Sequence, residues 1–83
     1  MSHNNLLIQQ FLKTVDNQLR DNDPPETRQT LDRLQQEGYA ERDAKLLIAQ
    51  CVAAEMMAVM QSNEPFNEVR YVKWLHQLPK SPE

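Results

Sequence analysis

The chain has 83 residues, of which 40% are hydrophobic and 25% charged, with a formal net charge of −3, and this length suits one domain with a small core. A single cysteine excludes a disulfide framework and a thiolate-rich zinc site, and a single glycine excludes a phosphate-binding loop and disfavours a β-rich fold. The negative charge disfavours a non-specific nucleic-acid binder, and the lack of a long apolar run and of disulfide-forming cysteines predicts a cytoplasmic chain without a membrane span.

Apolar residues at spacings of three and four predict a first helix over about residues 5–20. They form one stripe, which consists of Ile8, Phe11, Leu12, Val15 and Leu19. Leu6 and Leu7 lie partly off this stripe. The pattern is typical of an amphipathic helix that packs on a core through one side.

The second predicted helix covers about residues 24–37. Asp23 is a strong N-cap candidate, and Pro24 suits the first helical position because the N–H that proline lacks is unpaired there. Gly38, the only glycine, follows the last helical residue, where a left-handed residue ends many helices. Tyr39 can then pack back onto the helix.

The third predicted helix, about residues 41–61, spans about 30 Å at 1.5 Å per residue. Its apolar residues fall into two sectors on opposite sides. The first contains Ala44, Leu47, Ile48, Cys51, Val52, Ala58 and Val59, and the second contains Leu46, Ala49, Ala53, Met56, Met57 and Met60. A helix that is apolar on two sides is normally buried from two directions. We therefore expect a hydrophobic spine, with either other helices on both sectors or a docking surface on one.

The fourth predicted helix covers about residues 68–78, with Asn67 as its cap and Pro79 at its end. We expect a frayed tail over residues 79–83. The four segments together predict an all-α fold, a single compact four-helix domain over residues 1–83, in which helices joined by short loops run roughly antiparallel.

Glu55 falls near the centre of the first apolar sector of the third helix. Carboxylates are seldom buried without a partner, so we expect Glu55 to be a buried polar residue that pairs with another helix and fixes the packing register. The candidate partners are Arg20, Arg70, Tyr71 and Lys73. The alternatives are an exposed carboxylate and a catalytic or metal-ligating one. No histidine lies three or four residues from Glu55, as a metal site on this helix would need.

The second sector of the third helix contains three methionines, which adapt their shape and are common on surfaces that accept partner helices. Its residues Leu46, Ala49, Ala53, Met56, Met57 and Met60 are therefore candidate partner-binding residues. The alternative is an ordinary core face covered by the first or last helix. A non-enzymatic domain that docks a helix of another protein, or a second copy of itself, is the function we expect, with an interface of roughly 1,200–1,600 Å² in total.

A small nucleic-acid-associated regulator is the alternative function. It would use Arg28, Arg33, Arg42 and Lys45, or the basic and aromatic residues Arg70, Tyr71, Lys73, Trp74 and Lys80 at the C-terminal end. For an enzyme, the sequence offers no nucleophile with a base and its orienting partner. Cys51 falls at buried apolar spacing and does not form a set with either histidine. We expect no catalytic residue, metal or cofactor.

A succession of residues between 23 and 79 carries a resemblance. It consists of Pro24-Pro25-Glu26-Thr27, Arg33-Leu34, Glu37-Gly38-Tyr39, Ala44, Ile48-Ala49, Glu55, Pro65-Phe66, Tyr71-Val72, Leu75 and Leu78-Pro79. In these positions the chain resembles short uncharacterised bacterial helical proteins and appended segments. The resemblance implies an all-helical bacterial cytosolic domain without an established activity. Its shared positions are helix ends and packing residues, so it implies no catalytic residue.

Overall fold

The structure, a computed structural model, describes residues 4–80, apart from the side chains of Asn4 and Asn5. It contains four helices: α1 (Asn4–Asp21), α2 (Pro25–Gln36), α3 (Glu41–Ser62) and α4 (Glu68–Gln77). Residues 4–80 contain no β-strand, so the predicted all-α four-helix fold is confirmed. Of the predicted tail, residues 81–83 lie outside the described residues. No helix within the described range is both long and apolar enough to cross a membrane.

The start of α2 differs by one residue from the prediction. Pro24 is the N-cap residue, with φ −77° and ψ 152°, and no side chain caps the helix. The predicted cap at Asp23 and the predicted first helical residue Pro24 are therefore wrong. The reason is Pro25: a proline disfavours helical backbone in the residue before it, so Pro24 is extended and the helix begins one residue later.

The end of α2 follows the prediction. Gly38 has a left-handed backbone with φ +107°. Its N–H donates to the carbonyl of Gln35 at 3.1 Å, and the N–H of Tyr39 donates to the carbonyl of Leu34 at 3.1 Å. These are the two bonds of a Schellman motif, which satisfies carbonyls that the helix end leaves free. The turn leaves Tyr39 half-buried against the core, and α3 begins two residues later.

The core lies where α3 packs against each of the other three helices. It contains Val15, Leu31, Leu34, Ala44, Ile48, Ala49, Cys51, Val52, Tyr71, Leu75 and Leu78. α3 supplies five of these residues, more than any other helix. A hydrophobic spine enclosed from two directions is nevertheless not confirmed, because the methionines of its second apolar sector are exposed.

Candidate docking surface

The two apolar sectors of α3 have different environments. We call the buried residues Ala44, Ile48, Cys51, Val52 and Glu55 the inner side of α3. We call Leu46, Ala49, Ala53, Met56, Met57 and Met60 the outer side. The inner side is enclosed by the other helices from Ala44 to Glu55, and the remaining residues of the first predicted sector, Leu47, Ala58 and Val59, are half-buried. The outer side is covered only over its N-terminal half.

Exposure on the outer side rises from Ala49 toward the C-terminal end of α3. Ala49 is buried, and Leu46 and Ala53 are half-buried. Beyond them, 40% of Met56, 59% of Met57 and 79% of Met60 is accessible to solvent. The described residues therefore leave the three methionines of the outer side exposed, Met60 most of all.

A groove of about 380 Å³ lies between α1 and the N-terminal half of the outer side. Its walls are Leu7, Ile8 and Phe11 from α1, and Leu46, Ala49, Gln50 and Ala53 from α3. Further along α1, Asp16 is paired with Lys45 of α3 at 2.9 Å, so the two helices run in opposite directions. The groove and the exposed methionines are successive parts of one strip on α3, which we call the apolar surface.

The apolar surface carries no charged side chain. Between Leu46 and Asn63 the only charged residue of the sequence is Glu55, and it lies on the inner side. The polar member of the groove is the amide of Gln50. An uncharged strip of this kind is suited to contact with another apolar surface and provides no ionic recognition.

On the inner side, Glu55 is fully buried and its carboxylate has three donors. Arg70 of α4 binds it through two bonds, from Nε to Oε1 and from an Nη to Oε2, each 2.8 Å long. The backbone N–H of Asn67 donates to Oε2 at 2.7 Å. The hydrogen bonds from Arg70 are the main reason that the pKa of Glu55 lies below its usual value, although burial opposes the shift. Of the four candidate partners, the structure places only Arg70 on this carboxylate.

The same contacts build the start of α4. Asn67 is its N-cap, and its Oδ1 accepts from the N–H of Arg70 at 3.0 Å. In a capping box, a Glu or Gln at the third helical position would accept from the cap residue's own N–H. Here Arg70 occupies that position, and Glu55 of α3 supplies the carboxylate. The pair therefore fixes where α4 begins relative to α3.

The other end of α4 is held by α2. Arg33 donates from its two terminal nitrogens to the carbonyls of Leu75 and Leu78, at 3.0 Å each, and also to Glu37 at 3.0 Å. Cations are favourable at a helix C-terminus because of its free carbonyls. From the sequence, Arg33 is a candidate nucleic-acid contact and a position of the resemblance, but these bonds to α4 are not predicted.

A buried polar junction joins α1, α2 and α4. Gln18 Oε1 accepts from the hydroxyl of Thr27 at 2.7 Å and from that of Tyr71 at 2.8 Å. Thr27 and Tyr71 are fully buried, and burial raises the pKa of Tyr71 to about 12. Sequence reasoning missed Gln18, although it lies two turns after Phe11 and hence on the same side of α1.

Reactive groups are scarce in the part of the chain that the structure describes. Burial raises the pKa of the Cys51 thiol to about 12, which suppresses its thiolate. Residues 4–80 bring together no group of three or more His, Cys, Asp or Glu side chains that could hold a metal ion. Among the described side chains, every buried nitrogen and oxygen has a hydrogen-bond partner.

The candidate basic residues are divided between internal contacts and solvent. Arg33 and Arg70 form the bonds given above, and Arg70 also lies over the Trp74 ring at 5.9 Å. Lys45 is bound to Asp16. The remaining two of the second-helix group, Arg28 and Arg42, are exposed. Lys73 and Lys80 of the C-terminal group are exposed as well, and Tyr71 of that group is fully buried.

Comparison with known proteins gives no match: no family model, no curated protein and no solved structure is significantly similar to this chain.

Proposed function

We propose that the chain is a non-enzymatic protein-interaction domain whose apolar surface takes up an apolar helix, either from another protein or from a second copy. The observation that carries the proposal is the exposure of Met56, Met57 and Met60 beside an apolar groove. We also propose that the chain is located in the reducing cytosol, because a single cysteine provides no disulfide framework of the kind that secreted proteins use.

The exposed apolar area is larger than isolated surface residues explain. Leu7 and Ile8 of the groove are 56% and 40% exposed, and the three exposed methionines follow the groove residue Ala53 on the outer side of α3. If each large side chain presents about 200 Å² when fully exposed, these five residues expose roughly 500 Å². Contiguous apolar patches of this size on small proteins are associated with binding.

The shape and composition of the strip suit a helix. The groove gives a helix somewhere to insert an aliphatic or aromatic side chain, and methionines adjust their conformation to the partner that covers them. Because the strip is uncharged, affinity would come from apolar burial. The nucleic-acid alternative has less support, since three of its cations are already bound within the chain.

Site-specific photocrosslinking in the cells that produce the chain tests this proposal. A photoreactive phenylalanine analogue replaces Met60 in one variant and Arg28, an exposed residue of α2, in the control. We expect a discrete crosslinked protein from position 60 and none from position 28. The mass of the product distinguishes a second copy from a different protein.

Position 60 yielding no more product than position 28 would overturn the proposal. A second variant at Met57 guards against a local failure of the photoreactive group. Ribonuclease or nuclease treatment that removes a product would indicate nucleic acid instead, and would count for the alternative.

A further inference from the structure

We infer that the occupant of the apolar surface is a second copy of this chain, bound about a two-fold axis with the two α3 helices antiparallel. The inference rests on the proposed function, which states only that an apolar helix binds there. It is carried by the order of small and large residues along the outer side of α3.

Apart from Leu46 at its N-terminal end, the outer side has its small residues before its large ones. Ala49 and Ala53 lie in the N-terminal half, where the groove is, and Met57 and Met60 lie in the C-terminal half, where they are exposed. When two copies of such a strip meet in antiparallel orientation, the large half of each faces the small half of the other. Interdigitation of large with small side chains is how packed helices exclude voids.

A single register satisfies both contacts. The midpoint between Ala53 and Met57 and the midpoint between Ala49 and Met60 both fall at position 55, to within half a residue. A two-fold axis that crosses the outer side at this level places Met57 of each copy over the half-buried Ala53 of the other. Met60 reaches the level of Ala49, which is only 5% exposed, so its side chain enters the groove that Ala49 and α1 form. An isologous interface requires this kind of self-complementary surface.

Area and charge agree with a second copy. Two strips of roughly 500 Å² bury roughly 1,000 Å² together, which is the minimum for a specific interface and less than the area expected from the sequence, so we expect a weak dimer. Each chain has a net charge of −3, but the outer side has no charge, so like charges do not meet across the axis. A foreign partner of opposite charge would find no complementary group on this strip.

Sedimentation equilibrium over chain concentrations from about 1 µM to about 1 mM tests the inference, because this range covers weak and moderate dimers. We compare the wild-type chain with Met60→Glu and with Val69→Glu. The two substituted residues are 79% and 80% exposed, but Val69 lies on α4, away from the outer side. We expect wild type to dimerise and Met60→Glu to weaken the dimer by roughly ten- to a hundredfold, as loss of a large apolar contact does. Val69→Glu should dimerise like wild type to within about twofold.

Disulfide formation in a glutathione buffer tests the register separately. Each variant carries one introduced cysteine in addition to the native one. Ala53→Cys and Met57→Cys chains are mixed, and each is also incubated alone. A disulfide needs Cα atoms within about 7 Å, so the mixture should form covalent dimers faster than either chain alone. The native Cys51 is buried and does not compete.

A wild-type chain that stays monomeric throughout, or equal effects of Met60→Glu and Val69→Glu, would overturn the second-copy inference. So would disulfide formation that is no faster in the mixture. If position 60 nevertheless crosslinks to a different protein, the proposed function stands and only the second copy is excluded. If it crosslinks to nothing, both fail.

Discussion

The inner and outer sides of α3 reverse the expected relation between polarity and burial. Glu55, a carboxylate on the inner side, is fully buried, whereas Met60, five residues later on the outer side, is 79% exposed. On the inner side, α2 and α4 pack against α3. The Glu55 carboxylate accepts hydrogen bonds from the Arg70 guanidinium of α4 and from the backbone N–H of its N-cap, Asn67. Over its C-terminal half, the outer side is left largely exposed by the four described helices. Burial in this chain therefore depends on which elements are available to cover a side as well as on its hydropathy.

This comparison assigns the two sides different roles. The hydrogen bonds of Glu55 on the inner side and those of the junction at Gln18 fix the positions of the helices relative to one another. The methionines of the outer side contribute little to the fold of one chain and remain free for a partner. Substitutions on the inner side should therefore change the free energy of unfolding, and substitutions on the outer side should change binding.

The largest effect is expected from Glu55→Ala. It removes the acceptor of Arg70 and of the Asn67 N–H, and leaves an unfilled space beside the core. Breaking a buried pair costs about 3 kcal/mol, the lower end of the usual range, because Arg70 is one-third exposed. Urea unfolding followed by circular dichroism measures the loss.

Asp21→Ala is the matched control for Glu55→Ala, since it breaks an exposed pair with Arg20. It should leave the free energy of unfolding close to that of wild type, because exposed ion pairs are screened by solvent. Equal effects of the two substitutions would show that the Glu55 pair does not hold α4 to α3.

Gln18→Leu should destabilise the chain by about 2 kcal/mol, because the buried hydroxyls of Thr27 and Tyr71 lose their common acceptor. Tyr71→Phe removes one donor and leaves Gln18 bonded to Thr27, so it should cost about 1 kcal/mol. Asn17→Ala, at the exposed neighbouring position, is the control. A Gln18→Leu chain as stable as this control would contradict the role of the junction.

Stability should fall with acid through Glu55. Arg70 holds the pKa of this carboxyl in the folded chain below its usual value. The stabilisation that the pair provides is therefore fully present above the unfolded pKa of about 4.3. It is lost as the pH falls through the lower pKa of the folded chain. Urea midpoints measured from neutral to acidic pH should decline more steeply for wild type than for Glu55→Gln. Parallel curves would exclude Glu55 as a source of the acid sensitivity.

The smallest effect is expected on the outer side. Met60→Ala should leave the free energy of unfolding of the dilute monomer within about 0.5 kcal/mol of wild type, because its side chain is mostly in water already. A loss of more than about 2 kcal/mol would show that Met60 is part of the core and would remove the contrast between the two sides.

Much of the fold was predictable because local chemistry determines it. Gly38 ends α2 and Asn67 caps α4, each through bonds to its own helix. The spacing of apolar residues predicted all four helices to within a few residues of their observed ends. The error at the start of α2 arose because Pro25 makes Pro24 extended, which the capping pattern did not indicate. These features depend on neighbours a few positions away, which a sequence displays directly.

The candidate site was predictable only in part. Periodicity groups Met56, Met57 and Met60 on one side of a helix, but it does not say which helix covers that side. Gln18 and its partner Tyr71 are 53 positions apart in the sequence. Arg33 is 42 positions from Leu75 and 45 positions from Leu78. No local sequence pattern indicates such distant pairs. For Glu55, the sequence indicated a buried carboxylate and four candidate partners, and the fold selected Arg70.

The most direct test of the difference between the two sides is the rate at which hydrogen peroxide oxidises each methionine of the folded chain, measured by mass spectrometry at low and at high chain concentration. In the dilute chain we expect Met60 to react fastest, then Met57, then Met56, following their exposed fractions of 79%, 59% and 40%. At high concentration Met57 and Met60 should be protected. Slow oxidation of all three in the dilute monomer would contradict the account, because the outer side would then be part of the core.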